Sequence, residues 1–148
     1  MNLRNIATAV LTLAMASAAL PLAHAHQSIE VTDGAYRVIV GYLVNPPYTN
    51  VLNGIDLAVR DANGNPVTGL EKSLDAWVLG PAGSEVKLTL RANRDKEGWY
   101  TGNFLPTAPG EYTFRVKGYV GTTAIDLTFD HVAHTEPAIM DIKDISLP

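Results

Sequence analysis

The chain contains no cysteine. That removes thiolate catalysis, zinc–thiolate sites and disulfide bonds, so stability has to come from packing. It also removes a lipoprotein anchor, whose lipid is attached through a cysteine. Basic residues are in the minority: 11 Lys and Arg stand against 15 Asp and Glu, a formal charge of −4. They form no cluster, which makes nucleic acid or an anionic membrane surface a poor partner. Also missing are an Asn-x-Ser/Thr sequon, a long internal repeat and a convincing amphipathic helical period. Ser28, Ser73, Ser84 and Ser146 lie in no nucleophile-elbow pattern, and no glycine-rich phosphate loop precedes a helix. Asp and Glu fall mostly on alternating strand faces or in turns, where charged residues belong anyway. Together these absences point away from an enzyme.

One long apolar run is present, and it stands at the start. Ile6 to Leu20 is uncharged, follows Arg4, and precedes Ala23-His24-Ala25. This is the layout of a secretory signal peptide with its small-residue cleavage site. The run is shorter than the roughly 20 residues that span a bilayer, so a cleaved leader is expected in place of a membrane anchor. Residues 1–25 are thus read as a signal peptide, 26–134 as one domain, and 135–148 as a C-terminal extension or edge strand. The mature protein is expected in the periplasm or outside the cell, without a membrane span.

Beyond the leader the dominant period is two. Ile55, Leu57 and Val59 alternate with Asp56 and Arg60; Val86, Leu88 and Leu90 with Lys87, Thr89 and Arg91. Tyr112, Phe114 and Val116 alternate with Thr113, Arg115 and Lys117, and Ile125, Leu127 and Phe129 with Asp126, Thr128 and Asp130. Such alternation marks antiparallel strands with one buried and one wet face. Tyr36–Leu43, Leu74–Gly80 and Trp99–Leu105 are more uniformly apolar and read as central strands. Asn63-Gly64 and the segments 80–84, 93–98 and 106–110 supply turn chemistry. About seven short strands without a helix predict an all-β, antiparallel immunoglobulin-like sandwich, with a closed barrel as the alternative. Trp77, Trp99, Tyr100, Tyr112 and Phe114 are expected to fill the core. Tyr42, Tyr48 and Tyr119 offer a weaker reading as a carbohydrate platform. The proline-bearing loop Asn45–Gly54 is either a packed crossover or a binding loop.

Three stretches carry a family resemblance. "LNGIDLAVRDANGNPVTGL" follows the strand–turn–strand pattern of small bacterial immunoglobulin-like domains. "GWYTGNFLPTAPGEYTFRVKG" resembles the closing hairpin of the YtkA-like and CopC-like periplasmic domains: an aromatic strand, a Pro-Gly turn, then Tyr-x-Phe. The resemblance covers roughly Tyr36 to Phe129. It implies an accessory or carrier protein of the bacterial envelope, and copper bound through an N-terminal histidine. His26 occupies that position if cleavage follows Ala25. A copper monooxygenase also uses an N-terminal histidine, but nothing else in the chain resembles one.

The same candidate arises from the residues. A chain beginning at His26 offers its α-amine and its ring nitrogen as a chelate of the kind Cu(II) favours. The other mature histidines are His131 and His134, with Met140 downstream; Asp130 supplies an oxygen ligand or orients a ring. The candidate metal site is therefore His26, His131 and His134, with Asp130 and Met140 as weaker members. The plainer alternatives are an exposed terminus at His26, a ring closing the core at His131, a solvated loop residue at His134 and ordinary packing at Met140. The competing function is an envelope interaction module that binds a protein partner without metal.

Overall fold

A computed structural model describes residues 26–130 and 138–148; the expected leader, His131 and His134 lie outside them. Nine strands are present in the described residues: β1 (His26–Val31), β2 (Tyr36–Tyr42), β3 (Asn53–Asp61), β4 (Leu74–Leu79), β5 (Glu85–Leu88), β6 (Arg91–Ala92), β7 (Trp99–Phe104), β8 (Thr113–Val120) and β9 (Thr123–Asp130). They form a five-stranded sheet in the order β1-β2-β3-β7-β6 and a four-stranded sheet in the order β5-β4-β8-β9. Every pairing between strands is antiparallel. The fold is an immunoglobulin-like β-sandwich, as the period of two predicts.

The count of seven is corrected to nine for two local reasons. His26–Val31 alternates weakly, yet it pairs along its whole length with β2. The segment Glu85–Ala92 reads as one strand but serves two sheets: Glu85–Leu88 pairs with β4, and Arg91–Ala92 pairs with β7. The crossover runs so close to β7 that a Cβ on Gly102 would stand 3.0 Å from Leu88 Cβ. At this edge Val86 is 54% exposed, although its register partner Val78 is buried. The expected inward stripe of Val86, Leu88 and Leu90 is therefore complete only at its last two members.

Elsewhere the alternation translates directly into packing. Val38, Val40, Leu57 and Val59 from one sheet meet Ala76, Phe114, Val116 and Phe129 from the other, all fully buried. Each such Val, Leu or Phe contributes about 1.5–3 kcal/mol by leaving water. The aromatic expectation holds for Tyr100, Tyr112 and Phe114 but fails for two residues. Trp77 and Trp99 are half-buried on the outer faces of β4 and β7, because strand parity, not residue type, decides the face. Tyr42 is core, 3% exposed and edge-on to Phe114, so it offers no platform to a sugar.

One end of the sandwich carries the connections β2–β3 and β7–β8; we call it the loop end. The C-terminal residues plug it. Ile139 is buried to 1% exposure and bridges Gly110, while Met140 bridges Tyr48. Met140 N donates to Pro47 O at 3.1 Å, Thr49 N to Met140 O at 2.9 Å, and Ile142 N to Thr49 Oγ1 at 3.1 Å. The tail is thus a packed extension that straps down the proline-bearing loop.

Candidate functional site

Register places the site. The turn Thr32–Ala35, with Gly34 at φ 86°, closes the β1–β2 hairpin and sets Val31 opposite Tyr36. Counting back along the ladder puts His26 opposite Gly41, and Gly41 is in turn opposite Asp56 of β3. His26 and Asp56 therefore stand on the same outer face with one strand between them, about 10 Å apart at two strand spacings. Gly41 has no side chain to fill the interval. The two side chains close it: His26 Nε2 lies 3.1 Å from Asp56 Oδ2. Their side chains are 30% and 14% exposed, respectively.

The contact fixes a proton. An ionised carboxylate only accepts, so the ring donates through Nε2–H; in the neutral imidazole the lone pair is then on Nδ1, the nitrogen nearer the backbone. Trp99 completes the surroundings, its ring centroid 5.7 Å from that of His26 in an edge-to-face arrangement. Trp99 is opposite Ala58, one step along the same face from Asp56, and Ala58 is fully buried. Lys96 Nζ and Arg60 Cζ lie 5.1 Å and 6.0 Å from the Trp99 centroid. The Arg60 guanidinium also donates to the Glu97 carbonyl at 3.3 Å.

Of the expected metal ligands, His26 is not a free end: it opens β1 and is held by Asp56. Asp130 closes β9 opposite Thr113, is exposed, and stands at the loop end, as His26 does. β1 and β9 are edge strands of different sheets and lie against one another. Met140 is half-buried in the strap at that end. Among the described residues no group of three or more His, Asp or Glu side chains surrounds a metal-sized point. Asp56, Gly41 and Trp99 are the site residues that sequence reasoning missed. Their signal is the Asp33-Gly34 turn, from which the hairpin register could have been counted.

The loop end has a second feature. No charged residue occurs between Arg37 and Asp56 or between Glu97 and Glu111. These are the two longest uncharged stretches after Glu30, and both run to this end. Leu43, Val44, Val51, Leu52 and Leu105 are exposed there at 42%, 42%, 37%, 60% and 53%. Asn53, itself buried, holds the backbone beneath them: its amide accepts from Val44 N and Gly54 N and donates to Val44 O. Asn50 N donates to Pro106 O at 2.7 Å, tying the two connections together.

Neither a family model nor a curated protein matches the chain. Solved structures do. A DUF4426 family protein from Pseudomonas aeruginosa PAO1 superposes with a TM-score of 0.55 at 16% identity, covering 71% of this chain and 91% of that one. The Lin-41 filamin domain gives 0.43 at 23% identity, covering 62% and 89%. A DUF4785 family protein from Legionella pneumophila gives 0.47 at 15% identity, covering 73% of this chain and 29% of that one. The Pseudomonas structure shares the sandwich fold. None of the three bears on ligand or reaction.

Proposed function

We propose that the protein is an exported, non-catalytic carrier or accessory domain that binds Cu(II) through a mature N-terminal His26. One observation supports this above the others. The imidazole donates its Nε2–H to Asp56, the arrangement in which a carboxylate orients a metal-ligating histidine and raises its basicity. Nδ1 and, after cleavage following Ala25, the α-amine form the chelate. The donor set suits copper: imidazole and amine nitrogens are the ligands for which Cu(II) leads the Irving–Williams order. His131 and His134 are the chain's remaining candidates for further nitrogen ligands.

The test uses the mature chain beginning at His26, titrated with Cu(II) by calorimetry. One equivalent binds tightly, and a single residue added before His26 abolishes that binding because the amine is consumed. Asp56→Asn keeps the chelate but weakens it about 10–100-fold, the usual effect of losing such an orienting partner. Unchanged affinity in the extended chain rejects the coordination.

A second reading, a metal-free interaction module of the cell envelope, is supported by the apolar loop end. Single exposed apolar residues are ordinary on a protein surface, whereas a contiguous patch marks an interaction site.

A further inference from the structure

We infer that a cleft between Arg37 and Arg60, on the outer face of the five-stranded sheet, binds a small organic molecule through its carboxylate or phosphate group. The site is independent of both the copper chelate and the loop end. The sequence has no run of basic residues, but register makes a pair, setting Arg37 of β2 directly opposite Arg60 of β3. Like charges so placed, about 4.5–5.5 Å apart at Cβ, destabilise a sheet. Both strands are inner ones, so protection of a sheet edge does not explain the pair.

The two guanidinium groups splay apart. Arg37 Nη2 donates to Glu30 Oε1 at 2.9 Å on the β1 side, and Arg60 Nη1 donates to the Glu97 carbonyl at 3.3 Å on the β7 side. Among the described residues these are the only hydrogen bonds of the two side chains. A guanidinium carries five N–H donors, so most of them stay open. Between the two lies a cleft of about 500 Å³, lined also by Glu30, Asp61 and Ile39. That is room for a small molecule and more than a bare ion needs. Both carboxylates in its wall are committed already. Glu30 is paired with Arg37, and Asp61 accepts from Asn63 N, Asn65 N and Asn65 Nδ2 within its own turn. An oxyanion seated between the guanidinium groups relieves their repulsion and takes paired N–H donors, the geometry in which arginine suits carboxylate and phosphate. The half-buried Ile39 gives the rest of the ligand an apolar contact.

The experiment uses the metal-free chain beginning at His26, at constant ionic strength. It follows by NMR the Nε–H signals of Arg37 and Arg60 and the indole N–H of Trp99, whose ring lies 6.0 Å from Arg60 Cζ. The probes are benzoate, phenyl phosphate, acetate and inorganic phosphate. Benzoate or phenyl phosphate shifts all three signals along one saturating curve, with a Kd of about 1 mM or below. The tighter of the two identifies the anionic group. Acetate and inorganic phosphate, with no apolar body to bury, bind about 5-fold or more weakly by comparison. Arg37→Gln and Arg60→Gln each weaken binding about 10-fold or more, through loss of a charge-assisted hydrogen bond. Glu30→Gln releases Arg37 and tightens binding up to about 5-fold, whereas Arg91→Gln, on β6, leaves it unchanged. Amide spectra of each variant show the fold retained. No saturation by either organic anion up to about 10 mM overturns the inference. So does binding that both cleft-arginine variants retain, that Glu30→Gln or Arg91→Gln weakens, or that the bare ions match.

Discussion

The outer faces of the two sheets are built alike and finished differently. Each carries one half-buried tryptophan beneath a lysine: Lys87 Nζ is 5.4 Å from the Trp77 centroid, and Lys96 Nζ is 5.1 Å from that of Trp99. Around Trp77 the charges neutralise one another. Lys87 pairs with Asp75 at 2.9 Å, and Arg115 grips Asp126 with bonds of 2.8 Å and 2.7 Å. All four side chains are well exposed, and pairs of this kind add little to stability. Around Trp99 the carboxylate is Asp56, mostly buried, and it is committed to an imidazole at the head of β1. Among the described residues Arg60 and Lys96 have no carboxylate in ion-pair range. A solvated face spends its charges on itself. The other face withdraws a histidine–carboxylate pair partly from water, at a desolvation cost that only their hydrogen bond offsets.

The comparison breaks most readily at Gly41. Gly41→Leu puts a side chain between His26 and Asp56; we expect Cu(II) binding to fall sharply and overpacking to cost about 1–3 kcal/mol in urea unfolding. Next come the two carboxylates. Asp56→Ala leaves the His26 ring without its acceptor and lowers stability by about 1–2 kcal/mol. Asp126→Ala moves the unfolding midpoint only slightly; equal effects of the two would erase the distinction between the faces.

Two pH dependences sharpen it further. Burial pushes the Tyr100 hydroxyl above its usual 10.0, while the Leu70 backbone N–H pulls the other way. The folded chain then holds that proton longer than the unfolded chain, so this stability is complete below pH 10 and declines as pH rises above it. Tyr100→Phe removes that decline in a pH series of melting temperatures. The smallest effect belongs to the exposed lattice. Hydrogen bonds from Arg115 hold Asp126 below its usual 3.8, so its share of stability is present above that value and fades as pH falls through the lowered one. A series from pH 5 to pH 2 shows only a slight extra decline relative to Asp126→Asn.

Much of the fold was legible because its cause is local. The segments around Phe114 and Phe129 alternate without a break, and both occupy the core as read. Asp61 carries the Asn63-Gly64 turn, accepting from Asn63 N and Asn65 N at 2.9 Å and 2.8 Å. What escaped is non-local. Trp77 and Trp99 look like core by composition, but each stands between buried neighbours whose parity sends it outward. Nothing in Glu85–Ala92 announces that the segment changes sheets, because alternation describes a strand and not its partner. His26 stood out in the sequence as a candidate chelator; its bond to Asp56 did not, since it depends on the register of three strands and on a glycine in the middle one.

The central claim is that His26, oriented by Asp56, is the copper ligand at the head of the five-stranded sheet. The most direct measurement follows Trp99 fluorescence in Trp77→Phe while Cu(II) is added to the mature chain. With the His26 ring 5.7 Å away, quenching should be complete at one equivalent and vanish when a residue precedes His26. Quenching that persists in the extended chain, or a Trp99 signal that ignores copper in the mature one, contradicts the account.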